Sequence, residues 1–220
     1  EALGTLKTLA DARPDSYVPL YRAANLLRED ERFERAAELY ARAGDRLTGE
    51  PSRRHWTLFY FHGIALERTD RWREAAARFE TALELYPDQP YVMNYLAYSW
   101  VEQDKNLDRA LTMLNKAVEQ RPEDGFIVDS LGWVHYKLGN YDKAVKHLER
   151  AVELRPEDPT INNHLGDAYW HVNRKREARY QWERALDLGP RDDEAEAIRS
   201  KLDDGLSAAE RDAGAATSNG

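Results

Sequence analysis

The chain has 220 residues, no cysteine and a formal net charge of −8. An acidic balance argues against a general nucleic-acid binder, which needs a dense basic face to neutralise phosphates. The lack of cysteine excludes disulfides, zinc–thiolate sites and cysteine nucleophiles. No apolar run of about 18 residues is present, so the sequence predicts no membrane-spanning helix.

In chain order, residues 1–14 carry Ala2, Leu6 and Pro14 at the spacing of a lone amphipathic helix. This fits the second half of a helix pair whose first half is absent, as in a fragment of a longer array. Residues 17–48 hold a fuller unit with Ala23-Ala24, Phe33, Ala36, Tyr40 and Ala43. A long connection, Gly44 to Arg54, follows; Gly49, Pro51 and Ser52 mark it as a loop insertion, not a domain break.

From there a regular beat sets in. Ala75, Ala110, Ala144 and Ala178 are each followed seven residues later by Ala82, Ala117, Ala151 and Ala185, with 34 or 35 residues between successive pairs. Such self-similarity means one supersecondary unit copied along the chain. Small residues recur upstream at Gly63, Ala97, Gly132 and Gly166, and bulky ones between the alanines at Phe79, Leu114, Leu148 and Trp182. Small side chains let two helices approach where they cross, while the bulky ones fill the groove beside the crossing. Pro87, Pro122, Pro156 and Pro190 stop each copy, whereas Pro90 and Pro159 stand where a new helix begins. The predicted copies are 56–89, 90–124 with one extra residue at Asp104-Lys105-Asn106, 125–158 and 159–192. His62 replaces the expected leucine and Lys175 the turn aromatic in their copies. A polar-faced capping helix at 193–206, with Ala195, Ile198 and Leu202 as its buried stripe, and a disordered tail at 207–220 complete the reading.

Leu131-Gly132, Tyr141, Ala144, Leu148, Ala151 and Pro156 together resemble the tetratricopeptide repeat. The resemblance implies an all-α, right-handed superhelical solenoid of antiparallel helix pairs, with a concave groove lined by the first helix of each pair. On that geometry the groove is expected to hold Tyr21 and Asn25, then Tyr60 and Ile64, then Tyr91, Asn94 and Tyr98. It continues with Asp129, Trp133, Tyr136 and Lys137, and then Asn163, Asp167, Trp170 and His171. Rings bury a partner's side chains at small entropic cost and asparagines fix its backbone, so a protein or peptide segment is the expected partner. Aromatics at helical spacing also pack against the next repeat; Trp100 and Trp182 read as core and Trp133 and Trp170 as contact residues.

Chemistry is sparse. No GxxxxGK, HExxH or GxSxG motif occurs. His135, His164 and His171 are spaced too widely for a convincing metal site, and Asp129 and Asp167 suit orientation of a peptide better than acid–base catalysis. The expectation is therefore a non-catalytic scaffold without cofactor or metal. Of the lysine–asparagine clamp that one subtype of these repeats uses to hold chaperone tails, only Asn25 matches; Tyr21 and Phe61 stand at its other positions. The wording of Gly63 to Arg68, Val128 to Trp133 and His164 to Trp170 is similar to the C-terminal part of long bacterial cell-envelope tetratricopeptide proteins. That resemblance implies a periplasmic adaptor for a processing protease or assembly complex. A protein that self-assembles through the ends of its array, and a regulatory domain of a larger enzyme, are the alternatives.

Overall fold

A computed structural model describes residues 2–206, and among these all regular structure is helical. The order is α1 (Ala2–Ala12), α2 (Val18–Glu29), α3 (Phe33–Asp45), a 3₁₀ turn at Arg53–His55, α4 (Trp56–Glu67), α5 (Trp72–Leu85) and α6 (Pro90–Glu102). It continues with α7 (Leu107–Gln120), α8 (Gly125–Lys137), α9 (Tyr141–Leu154), α10 (Pro159–His171), α11 (Lys175–Asp187) and α12 (Asp192–Asp204). The all-α fold class is thus as expected, and the tail at 207–220 lies outside the described residues. Two compact units divide inside α6, the first running to Ser99 and the second starting at Trp100. The long connection at 44–54 lies within the first unit.

Within the first unit α1 to α5 each pack against their neighbours in the chain, and within the second α7 to α12 do the same. α2 also meets α4 and α8 also meets α10, so first helices of successive pairs touch. The crossing of each pair rests on the small residues. A Cβ placed on Gly63 would stand 2.5 Å from the Phe79 ring, one on Gly132 would stand 2.6 Å from Leu148, and one on Gly166 would overlap Trp182. Phe79, Leu148 and Trp182 are themselves fully buried. The glycine and the bulky residue are thus two halves of one contact, which explains why they recur together.

The turn inside each pair is built the same way each time. The backbone N–H of Arg32, Arg71, Lys105, Asn140 and Arg174 donates back to the carbonyl of Leu27, Leu66, Trp100, His135 and Tyr169, at 2.8–2.9 Å. The residue before each donor is left-handed: Glu31, Asp70, Asp104, Gly139 and Asn173 have φ between 50° and 73°. This is the Schellman closure, which satisfies carbonyls that the helix end leaves without partners. In the α6–α7 turn the extra residue is Asn106, also left-handed at φ 49°. On the entry side, Asp124 accepts from the N–H of Phe126 and Ile127, and Asp158 from that of Ile161, capping α8 and α10.

The two irregular substitutions are accommodated differently. His62 is buried beside the Tyr40 ring, with centroids 6.1 Å apart. Lys175 donates to the Trp170 carbonyl at 2.6 Å and lays its ammonium over the Trp170 ring at 3.7 Å, replacing an aromatic contact by a cation–π one.

Candidate functional site

The candidate residues lie on the first helices of the pairs. In the first unit, α2 and α4 supply Tyr21, Asn25, Tyr60 and Ile64. The Tyr21 hydroxyl donates to Thr57 Oγ1 at 3.3 Å, and Asn25 Oδ1 accepts from the buried Tyr40 hydroxyl at 2.6 Å. Burial pushes that phenol well above its ordinary pKa, so it stays a donor. Ile64 is buried. Tyr60 packs edge-on against Tyr95 at 5.7 Å, a ring contact between successive first helices.

Tyr91, Asn94 and Tyr98 are three and four residues apart on α6 and share one face. Tyr91 is 37% exposed, and Asn94 and Tyr98 are half-buried. Asn94 Oδ1 is shielded from solvent yet accepts no hydrogen bond among the described residues. A buried acceptor without a donor costs roughly 1–3 kcal/mol, so such an atom calls for an explanation.

The second unit differs. Asp129 on α8 is buried and lies 3.0 Å from Nδ1 of the equally buried His164 on α10. Burial alone would push the His164 pKa down, but the Asp129 carboxylate outweighs it and holds the imidazole above its ordinary value. Asp167 is also buried. It accepts from Lys201 Nζ at 2.8 Å and from the Trp182 indole at 2.9 Å, and Lys201 donates to Asn163 at 3.0 Å as well. Lys201 belongs to α12, so Asn163 and Asp167 tie that helix to α10.

Aromatic residues complete this face. Trp133 stacks with His164 at 4.0 Å and with Tyr136 at 4.5 Å, and its indole N–H donates to Glu102 at 2.7 Å. Tyr136, buried, has its hydroxyl 3.1 Å from His171 Nε2, and Tyr141 stacks on the same imidazole at 4.1 Å. Lys137 pairs with Asp104 at 3.1 Å. Trp170 lies against Trp182 at 5.3 Å, and Gly205, left-handed at φ 75°, packs directly on its ring. Trp100 and Trp182 are core, 5% and 0% exposed.

The structure therefore separates the candidates. Asp129, Tyr136, Asn163 and Asp167 are buried between successive first helices, whereas Tyr91, Asn94, Tyr98, Trp133, Trp170 and His171 keep surface. Residues that sequence reasoning overlooked are His164 as an ion-pair partner and Lys201. A signal for both was present, because Asp129 and His164 are 35 residues apart and Asp167 and Lys201 are 34 apart. Opposite charges one repeat period apart stand on adjacent helices in any such array. Among the described residues no group of three or more His, Asp or Glu could hold a metal, and no helix is long and apolar enough to cross a membrane.

Comparison with known proteins agrees with this geometry. Residues 61–125 match a family model described as "Tetratricopeptide repeat" and residues 132–172 one described as "TPR repeat". The chain contains tetratricopeptide repeats. No curated protein matches it. Among solved structures, a thermophilic tetratricopeptide protein of Thermus thermophilus, TTC0263, is similar at 22% identity and a TM-score of 0.65, over 87% of this chain and 99% of that one. YrrB, described as a TPR protein with an unusual peptide-binding site, is 21% identical with a TM-score of 0.62, over 89% and 97%. The Cut9–Hcn1 assembly of the APC/C gives a TM-score of 0.73 at 16% identity, over 93% of this chain and 39% of that one. At these identities the likeness is one of fold. Since 315 solved chains match, the fold by itself discriminates no partner.

Proposed function

We propose that the chain is a non-catalytic scaffold that holds a protein segment on the exposed face of its first helices, with the α6 face of the first unit as the anchoring point. Tetratricopeptide repeats suit protein–protein interaction, and a peptide-binding relative in fold is consistent with that use. The observation that carries the reading is Asn94: its Oδ1 is a shielded acceptor in want of a donor, flanked on the same helix face by Tyr91 and Tyr98. Rotation of the half-buried Asn94 side chain brings that acceptor to the surface, where a backbone N–H of an extended peptide supplies the donor while the two rings cover the peptide's side chains. In the second unit Trp133 offers a further anchor, already held in place by His164, Tyr136 and Glu102, so little freedom is lost when a partner meets it.

The role of a bacterial envelope adaptor for a processing protease or assembly complex is proposed on the sequence resemblance alone. Affinity capture from cells with the native chain and with Asn94→Ala, followed by titration of each captured partner against both, tests the reading. Asn94→Ala should weaken the genuine partner roughly tenfold, the worth of one buried hydrogen bond, without lowering the melting temperature. Equal affinity for both proteins rejects the α6 face as the site, and self-association at the concentrations used, read by sedimentation, favours the self-assembling alternative.

A further inference from the structure

Three departures from the repeat pattern meet at one place in the first unit. The connection 44–54 is longer than its counterparts. His62 stands where the other copies have Leu96, Leu131 and Leu165. Arg78, three residues after Ala75, stands where they have Met113, His147 and Gln181. Together they enclose a cavity of about 300 Å³ between α3, α4, α5 and the long connection. That volume lies at the lower end of the range of small-ligand pockets, roughly 300–1,000 Å³.

Its floor is apolar and buried: Tyr40, Leu58 and Phe59 are 0%, 1% and 7% exposed. Its wall is held at the end of the connection nearest α4. Ser52 N–H donates to His55 Nδ1 at 3.0 Å, His55 stands edge-on to Tyr17 at 5.4 Å, and the Arg53 guanidinium covers the Tyr86 ring at 4.2 Å. The rim is exposed and carries Arg78 and Asp45. Arg78 makes no hydrogen bond or ion pair among the described residues. Burial, followed by the charges of Arg78 and Arg71 and partly offset by Glu74, lowers the His62 pKa to about 4 and keeps its ring neutral. A cation at the mouth of a cavity with a mixed lining and an apolar floor at Leu58 and Phe59 suits a molecule with one negative end and a short hydrocarbon body. Asp45 on the same rim opposes a polyanion, which selects against phosphates of higher charge.

We propose that this cavity binds a monocarboxylate on a short apolar body, its carboxylate paired with Arg78 and its hydrocarbon resting on Leu58 and Phe59. The carboxylate comes either from a free small acid or from the C-terminal residue of a partner peptide. The site is separate from the α6 face, so it does not depend on the peptide-binding reading above.

The test is a titration of the whole chain, followed through the His62 imidazole resonances, with three probes. These are 4-methylpentanoate, a short peptide ending in leucine with a free carboxylate, and the same peptide amidated. One saturable site that shifts His62 is expected, with the amidated peptide inert. Tighter binding of the peptide assigns the site to a C-terminus, and equal or tighter binding of the free acid assigns it to a small molecule. Arg78→Gln should weaken binding at least about tenfold with unchanged melting, because its side chain is exposed and supports nothing. Ala41→Phe, on the rim, should block entry, while Asn94→Ala should leave binding intact. No shift of His62 with any probe, undiminished binding by Arg78→Gln, or equal binding of the amidated peptide overturns the proposal.

Discussion

Successive first helices meet through rings in the first unit and through buried charge in the second. Tyr60 and Tyr95 join α4 to α6 by an edge-on contact, whereas Asp129 with His164 joins α8 to α10, and Asp167 with Lys201 joins α10 to α12. Ring contacts gain from area and accept many neighbours. Buried ion pairs gain little net stability but penalise every wrong neighbour heavily. Polar groups at equivalent repeat positions consequently have opposite fates: Asn163 is occupied internally by Lys201, while Asn94 is left with an open acceptor.

The largest effect should come from breaking the charged side of this comparison. Asp167→Ala strands the Lys201 ammonium in the core and removes the Trp182 indole's acceptor. Chemical denaturation should show a loss of about 3–5 kcal/mol, and adding Lys201→Met should recover most of it. Equal losses from the single and double variants would mean that the pair is not what holds α12.

Acidity should next distinguish the paired imidazole of His164 from the buried imidazoles of His62 and His135. Unfolded His62 takes up a proton near its ordinary value of 6.5, but the folded residue does so only near 4, so the unfolded state binds more protons in between. Stability should fall from pH 6.5 toward 4, on the order of 3 kcal/mol from His62. His135, lowered to about 4 by burial, then by His147 and Lys143, adds to the same trend in the second unit. His164 runs the other way. Its raised pKa stabilises the fold fully below about 6.5, and that contribution disappears as pH rises through the folded value. Proton resonances of the three imidazoles, followed with pH, should place His62 and His135 well below His164. A His164 that titrates below 6.5 would disprove the ion pair.

The helix crossings sharpen the contrast further. Gly63→Ala drives a methyl into the edge of the buried Phe79 ring, while Gly132→Ala meets Cγ of the equally buried Leu148 and, at 3.2 Å, its backbone nitrogen. Thermal melting should register a loss of about 1–3 kcal/mol for each, with the second at least as large as the first because a backbone atom cannot swing aside. Smallest of all, Glu31→Gly should stabilise the first unit by up to about 1 kcal/mol, because Glu31 holds a left-handed turn position that Gly139 fills in the second unit.

These contrasts show what was legible in the sequence. The fold was, because Gly132 and Leu148, like Gly63 and Phe79, are paired by the crossing itself and repeat with it. Turn closures at Glu31 and Asp70 were less visible, since hydrogen bonds within the backbone can impose a left-handed residue on almost any side chain. The candidate face was legible only as a set of helix positions. Whether such a position points to a partner or to the next repeat depends on the residue one period onward, and His164 and Lys201 convert Asp129 and Asp167 from prospective ligand contacts into internal ones.

Asp167 and Lys201 also stand at the same place in consecutive copies, and this makes the order of the copies matter. A solenoid of interchangeable modules can lengthen by tandem duplication anywhere, yet α12 fits only behind a module that presents an aspartate. Duplicating residues 125–158 leaves that lock and key adjacent; inserting a copy between α11 and α12 seats Lys201 against the Trp133 position instead. Growth of this array by recombination therefore has to keep a module carrying that aspartate directly ahead of α12.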